Sequence, residues 1–215
     1  MEEIKPAGSL NKAAKIISVI FHPVFMPLYG LVLIFSTPTI YSYVSLQAKK
    51  LLLLIVLINN VVMPIILFVF LKVRNYVLTW EMESRKERMF PLFFATILYA
   101  ITTYVILKYP VPVFIKTYFV GIFFVAATLT VINNWWKISI HAAASGAITA
   151  LMLMLSFRMY HITILPLAAT IAVAGLILSS RLRLNFHSPA QVWFGFLLGF
   201  MMLGFLYRVY SIAQW

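Results

Sequence analysis

From Ser179 to Gln191 the chain reads Ser-Ser-Arg-Leu-Arg-Leu-Asn-Phe-His-Ser-Pro-Ala-Gln, and its polar residues are spaced for work on an anion. Polar and apolar residues alternate from Arg181 to His187, so an extended backbone would put Arg181, Arg183, Asn185 and His187 on one face. Ser188 then suits a helix N-cap, with Pro189 at the first helical position and Gln191 at the third, which is a capping box. His187 is thereby expected beside a helix N-terminus, where free backbone N–H groups and the helix dipole favour negative charge. Trp136 to Gly146 repeats the logic: Lys137, then Ser139 as a cap, then His141 in the first turn. Its small residues, Ala142 to Gly146, allow another helix or a substrate to approach closely. A third basic group is Arg85, Lys86 and Arg88. Two histidines among fixed cations suit phosphoryl transfer. One attacks phosphorus, the other protonates the leaving oxygen, and arginine and lysine hold the equatorial oxygens.

The rest of the composition narrows the chemistry further. There is no cysteine and no aspartate; the five acids are Glu2, Glu3, Glu81, Glu83 and Glu87, all outside the long apolar segments. Thiolate sites and aspartyl-phosphate chemistry are excluded, and a carboxylate-bound magnesium or manganese centre is hard to assemble. No cofactor is called for, and no metal ligand set is assigned. The net charge of +12 favours an anionic partner. Its basic residues sit in short connections and form no continuous face, which argues against nucleic acid and for anionic lipid.

Lipid is also the expected solvent. Of 215 residues 63% are hydrophobic and 10% charged, too little polar surface to wrap a water-facing domain. A hydrocarbon core about 30 Å thick needs about 20 apolar residues per helix. Seven segments qualify, at roughly 14–36, 50–71, 91–107, 112–133, 139–157, 161–179 and 190–208, with a six-span variant if the third or fourth lies in the interface. The expected fold is therefore all-α, a polytopic transmembrane helix bundle forming one integral membrane domain over 1–215 without internal repeats. The first segment holds His22, Pro23 and Pro27 and has no small-residue cleavage site, so it reads as a retained helix. With seven spans, the connections carrying Arg85 to Arg88, Lys137 to His141 and Arg181 to His187 fall on one side of the membrane. That side carries eleven Lys and Arg against six opposite, which favours the cytoplasm. Six of the eleven are the candidate phosphate binders themselves. The count without them is five against six, so the bias reports the site as much as the topology.

Ordered along the chain, these groups resemble the type 2 phosphatidic acid phosphatases, the family that includes vanadium haloperoxidases. That family carries a Lys-x6-Arg-Pro, a Pro-Ser-Gly-His and a Ser-Arg-x5-His-x3-Asp motif. Ser180-Arg181 followed after five residues by His187 matches the third, with Gln191 where the family has aspartate. Ser139 and His141 match the second, with Ile138 and Ile140 in place of proline and glycine. Arg85, Lys86, Arg88 and Pro91 supply the residue types of the first without its spacing. The resemblance spans roughly residues 80–200. It implies a helical core of that family's kind in a multi-pass protein of a bacterial inner membrane, acting without metal on an anionic lipid phosphate. It implies further that His187 is the nucleophile forming a phosphohistidine and His141 the general acid. Arg181, Lys137, Ser139, Arg183 and one or more of Arg85, Lys86 and Arg88 would bind the phosphate. Gln191 would orient His187, but an amide cannot supply the aspartate's charge.

Other readings attach to the same residues. Arg181 and Arg183 suit interfacial anchors, Gln191 a cap partner, and His141 a hydrogen bonder between helices. His22 and His161 read as structural or interfacial. Asn59-Asn60 and Asn133-Asn134 read as bonds between helices, the Met- and Phe-rich 151–159 and 194–207 as lipid-facing, and Trp80, Trp135, Trp136, Trp193 and Trp215 as an interfacial belt. At the level of function, the alternatives are a lipid phosphotransferase and a non-catalytic protein that binds or carries anionic lipid. A transporter is disfavoured because no span holds an acid.

Overall fold

Apolar runs capped by Ser, Thr or Pro fold into the expected helices. The structure is a computed structural model that describes residues 9–78, 82, 84–158 and 164–212, without the side chains at 158 and 210–212. Trp80, Glu81, Glu83, His161 and Trp215, and the acids at the N-terminus, lie outside the described residues. The helices are α1 (Ser9–Ile20), α2 (Met26–Ser36), α3 (Leu46–Val56), α4 (Met63–Val73), α5 (Arg85–Lys108), α6 (Val113–Ile132), α7 (Ile140–Arg158), α8 (Ile164–Arg183) and α9 (Pro189–Ile212). Taken as continuous runs they make seven stretches long and apolar enough to cross a membrane: 9–36, 46–73, 85–108, 113–132, 140–157, 164–183 and 189–209. The architecture is an all-α bundle consistent with a polytopic membrane protein. Spans three and four are both full helices, joined by the Lys108 to Pro112 hairpin, so among the described residues all seven expected segments are helices of spanning length.

Two of the seven are interrupted. The first bends at Phe21-His22 and continues as a 3₁₀ turn, Pro23–Phe25, before α2 begins. Pro23 has no N–H to extend α1 and fixes its own φ, so the single helix expected over 14–36 breaks there. The second widens into a π-helical turn at Leu57–Val62, just ahead of Pro64. Here Asn59 donates to the Leu98 carbonyl (2.7 Å) and to Thr102 Oγ1 (2.6 Å), and Thr102 Oγ1 donates to Asn60 Oδ1 (2.7 Å). Away from water such side-chain bonds hold helices together. Asn133 similarly ties the end of α6 to α5 through the Arg85 carbonyl (2.9 Å), whereas Asn134 bonds back to its own helix.

At the centre, α7 packs on α9 with their backbones nearly touching. A Cβ at Gly146 would collide with the Phe196 backbone, and one at Gly199 with the Ala143 carbonyl; at Gly195 it would lie 2.6 Å from the Ser139 carbonyl. The stripe Ala142 to Gly146 therefore admits a neighbouring helix. The expectation that 151–159 faces lipid fails for Leu151, Met152 and Leu155, which are fully buried because α7 is the inner helix of the bundle. Phe194, Met201 and Phe205 on α9 are exposed as expected, while Leu203 and Tyr207 on the same helix turn inward. Trp135 and Trp193 lie on the outer surface, as a belt requires.

Candidate functional site: a cationic cavity at one end of the bundle

Three connections converge because local capping fixes each one. Ser84 opens α5, its Oγ accepting the Glu87 N–H (3.2 Å). Ser139 opens α7, its Oγ accepting the Ala142 N–H (3.4 Å), and is wholly buried. Ser188 and Gln191 open α9 reciprocally: Gln191 N–H donates to Ser188 Oγ (3.4 Å), and Ser188 N–H donates to Gln191 Oε1 (3.1 Å). The ends then bond to one another. Ser139 N–H donates to the Gln191 carbonyl (3.1 Å), Arg85 Nη1 to the Asn134 carbonyl (2.7 Å), and Arg88 Nη1 to the Ile138 carbonyl (3.5 Å).

The stretch from Arg181 to His187 is not extended. Helix α8 runs through Arg183, where residues two apart lie about 200° apart around the axis. Arg181 is 5% exposed, whereas Arg183 points outward. Asn185 takes φ +54° and turns the chain, the left-handed residue that commonly ends a helix. His187 is thereby delivered to a buried position, at 6% exposure. Its Nδ1 lies 3.2 Å from Gln191 Oε1. Because the Ser188 N–H donates to that same oxygen, the oxygen is an acceptor and His187 Nδ1 carries the proton. Nε2 keeps its lone pair, and no hydrogen bond of the described residues uses it. Burial, then the charges of Arg88, Arg181 and Lys137, push the His187 pKa down to about 3 against the opposing pull of the Gln191 bond. The ring is a neutral base at physiological pH.

His187 opens onto a cavity of about 550 Å³, which also receives Arg88, Arg181, His141, Ser18 and His22. Arg88 is 4% exposed; its Nε donates to the Met82 carbonyl (2.8 Å). Arg181 stacks on Phe186 (4.6 Å to the ring centre) and donates from Nη1 to Ser18 Oγ (3.4 Å), while its Nε is buried without a partner. His141 Nε2 donates to the Ser18 carbonyl (3.1 Å), since a carbonyl only accepts. No carboxylate lines the cavity among the described residues. Two buried guanidiniums in one cavity are expensive unless an anion joins them. Among the described residues no group of three His, Cys, Asp or Glu is placed to hold a metal ion.

Below this cationic end the cavity is apolar, lined by Pro64, Phe68, Tyr99, Ile122, Val125 and Ile148 among others. From Arg88 to Tyr99 on α5 is eleven residues, about 16 Å of helix, or about half the hydrocarbon thickness of a bilayer. The lining is thus cationic at one end and apolar along the rest.

No family model, curated protein or solved structure matches the chain.

Of the residues expected at the site, His187, His141, Arg181 and Arg88 reach the cavity. Gln191 stands behind His187, and Lys137 is half-buried with its charge felt there. The others do not line it. Lys86 and Arg183 are exposed because their helices turn them outward, Arg85 joins α5 to the α6–α7 connection, and the Ser139 hydroxyl is occupied as a cap. His22, expected to be structural or interfacial, caps the Pro23–Phe25 turn and also brings its ring against that of His141 edge to face (5.3 Å, 86°) inside the cavity. Ser18 carries no motif that would mark it in the sequence. An ionisable residue within an apolar span, next to a proline break, was the signal available for His22.

Proposed function

We propose that the chain is a metal-independent lipid phosphate phosphatase of the type 2 phosphatidic acid phosphatase kind. Its substrate would be an anionic lipid monophosphate or diphosphate. The observation that carries this reading is the convergence of buried Arg88 and Arg181, with no carboxylate among the described residues that line the cavity, on a histidine whose Nε2 lone pair is free. The phosphoryl group sits between the guanidiniums with the lipid tail in the apolar arm. His187 Nε2 forms the N–P bond as the P–O bond to the lipid alcohol breaks. His141, anchored through Nε2–H to the Ser18 carbonyl, takes on Nδ1 the acidic proton of a monoanionic phosphate ester and passes it to the leaving oxygen. Water then attacks phosphorus, its proton passing through His141 Nδ1 to the departing phosphate; the N–P bond breaks and inorganic phosphate leaves as the monoanion.

The test is phosphate release from a panel of lipid phosphates by purified protein in detergent with chelator present. Wild type releases phosphate, orthovanadate suppresses it, and His187→Ala has no activity. A non-catalytic lipid-binding protein is favoured by one feature, the neutral Gln191 in the place of an orienting carboxylate. On that alternative no phosphate is released, and His187→Ala alters affinity alone.

A further inference from the structure

We propose that the first span completes the anion site, with Ser18 Oγ and His22 Nε2 donating to the phosphoryl oxygens. This rests on the phosphate-site reading and assigns it two ligands outside the three connections.

Three observations converge on Ser18 and His22. First, His22 Nδ1 accepts the Val24 N–H (3.3 Å), capping the Pro23–Phe25 turn, so the neutral ring carries its proton on Nε2. A cap alone requires only the acceptor, which Asn, Ser or Asp supply as well or better. What histidine adds is a second, outward donor, and the ring lines the cavity against His141. Second, Ser18 is 8% exposed, and Arg181 Nη1 donates to its Oγ, which leaves the hydroxyl proton to donate elsewhere. Ser139, the serine expected on the phosphate, does not line the cavity. Third, the Arg181 Nε beside them is a buried donor without an acceptor. Ser18, His22 and Arg181 are thus three donor groups lining one cavity where no carboxylate stands among the described residues. A tetrahedral phosphate monoester, or free orthophosphate, offers oxygens to all three.

The experiment measures binding of orthovanadate, orthophosphate and a short-chain lipid phosphate to purified full-length protein in detergent. Wild type is compared with Ser18→Ala, His22→Asn and Arg181→Gln. His22→Asn keeps a cap acceptor and deletes the Nε2 donor; Ser18→Ala keeps the carbonyl that anchors His141. Both are expected to fold, His22→Asn with the anion-free melting temperature retained and Ser18→Ala with it somewhat lowered because Arg181 Nη1 loses its acceptor. Both are expected to lose about tenfold or more in affinity for all three ligands. Unchanged affinity in both variants, with Arg181→Gln impaired, overturns the assignment and leaves the phosphate site standing. A loss confined to the lipid phosphate also contradicts it, because the two residues would then touch some other part of the headgroup. Absence of binding by wild type to any of the three ligands overturns the phosphate-site reading and this inference together.

Discussion

His187 is the residue on whose state the proposed chemistry rests. Its folded pKa of about 3 lies below the usual 6.5 of an unfolded histidine. The unfolded chain therefore binds a proton that the folded chain refuses. This contribution to stability is fully present above about pH 6.5 and is lost progressively as pH falls toward 3. In anion-free protein the His187 ring should show no NMR titration between pH 5 and 8; an inflection near 6.5 would contradict the burial and charge placement described. Arg181 and Arg183 separate the site from its surroundings. Arg181→Gln or Arg88→Gln should reduce lipid phosphate turnover by about 10²–10³, the size expected for a removed transition-state donor. Arg183→Gln and Lys86→Gln should stay within about twofold in the same assay. The arginine types were readable in the sequence, but their separation was not. It depended on α8 continuing through Arg183, where helical winding replaced the strand-like face suggested by alternation.

At the scale of elements, the segments 85–108, 113–132, 140–157 and 189–209 begin and end within a few residues of expectation, apart from the earlier start of α5. Bilayer thickness and backbone hydrogen bonding leave an apolar run of that length almost no other structure. The caps at Ser139 and Ser188 were legible for the same reason, since each side-chain bond is made within three residues. The break at His22 is local, set by Pro23, and that proline was its signal; the turn at Asn185 depends on where α8 ends, which the alternating pattern did not reveal. Asn185 now makes a direct prediction. Asn185→Gly should be tolerated, while Asn185→Val, forced to positive φ, should cost about 1–2 kcal/mol of stability and disturb His187. The close α7–α9 contact makes another. Gly199→Ala should lower stability by about 1–3 kcal/mol, measured as a lower detergent melting temperature, because the added methyl meets the Ala143 carbonyl. A Gly199→Ala protein of wild-type stability would contradict that contact.

For the whole molecule, the sequence placed three polar connections on one side by parity, and the structure joins them through Ser139, Gln191, Arg85 and Arg88. Parity could not reveal that the first span also reaches the cavity through Ser18 and His22, because no spacing rule connects residue 18 to residue 181. Nor could it reveal the apolar arm, whose lining comes from α4, α5, α6 and α7 together. The account as a whole requires a covalent phosphoryl group on one atom. The most direct test is to incubate purified protein with its best lipid phosphate, quench at alkaline pH where phosphohistidine survives, and locate the added phosphoryl mass by peptide analysis. The account predicts the label on His187, absent from His187→Ala and suppressed by orthovanadate. Turnover with no label on His187, or a label on another residue, would contradict it.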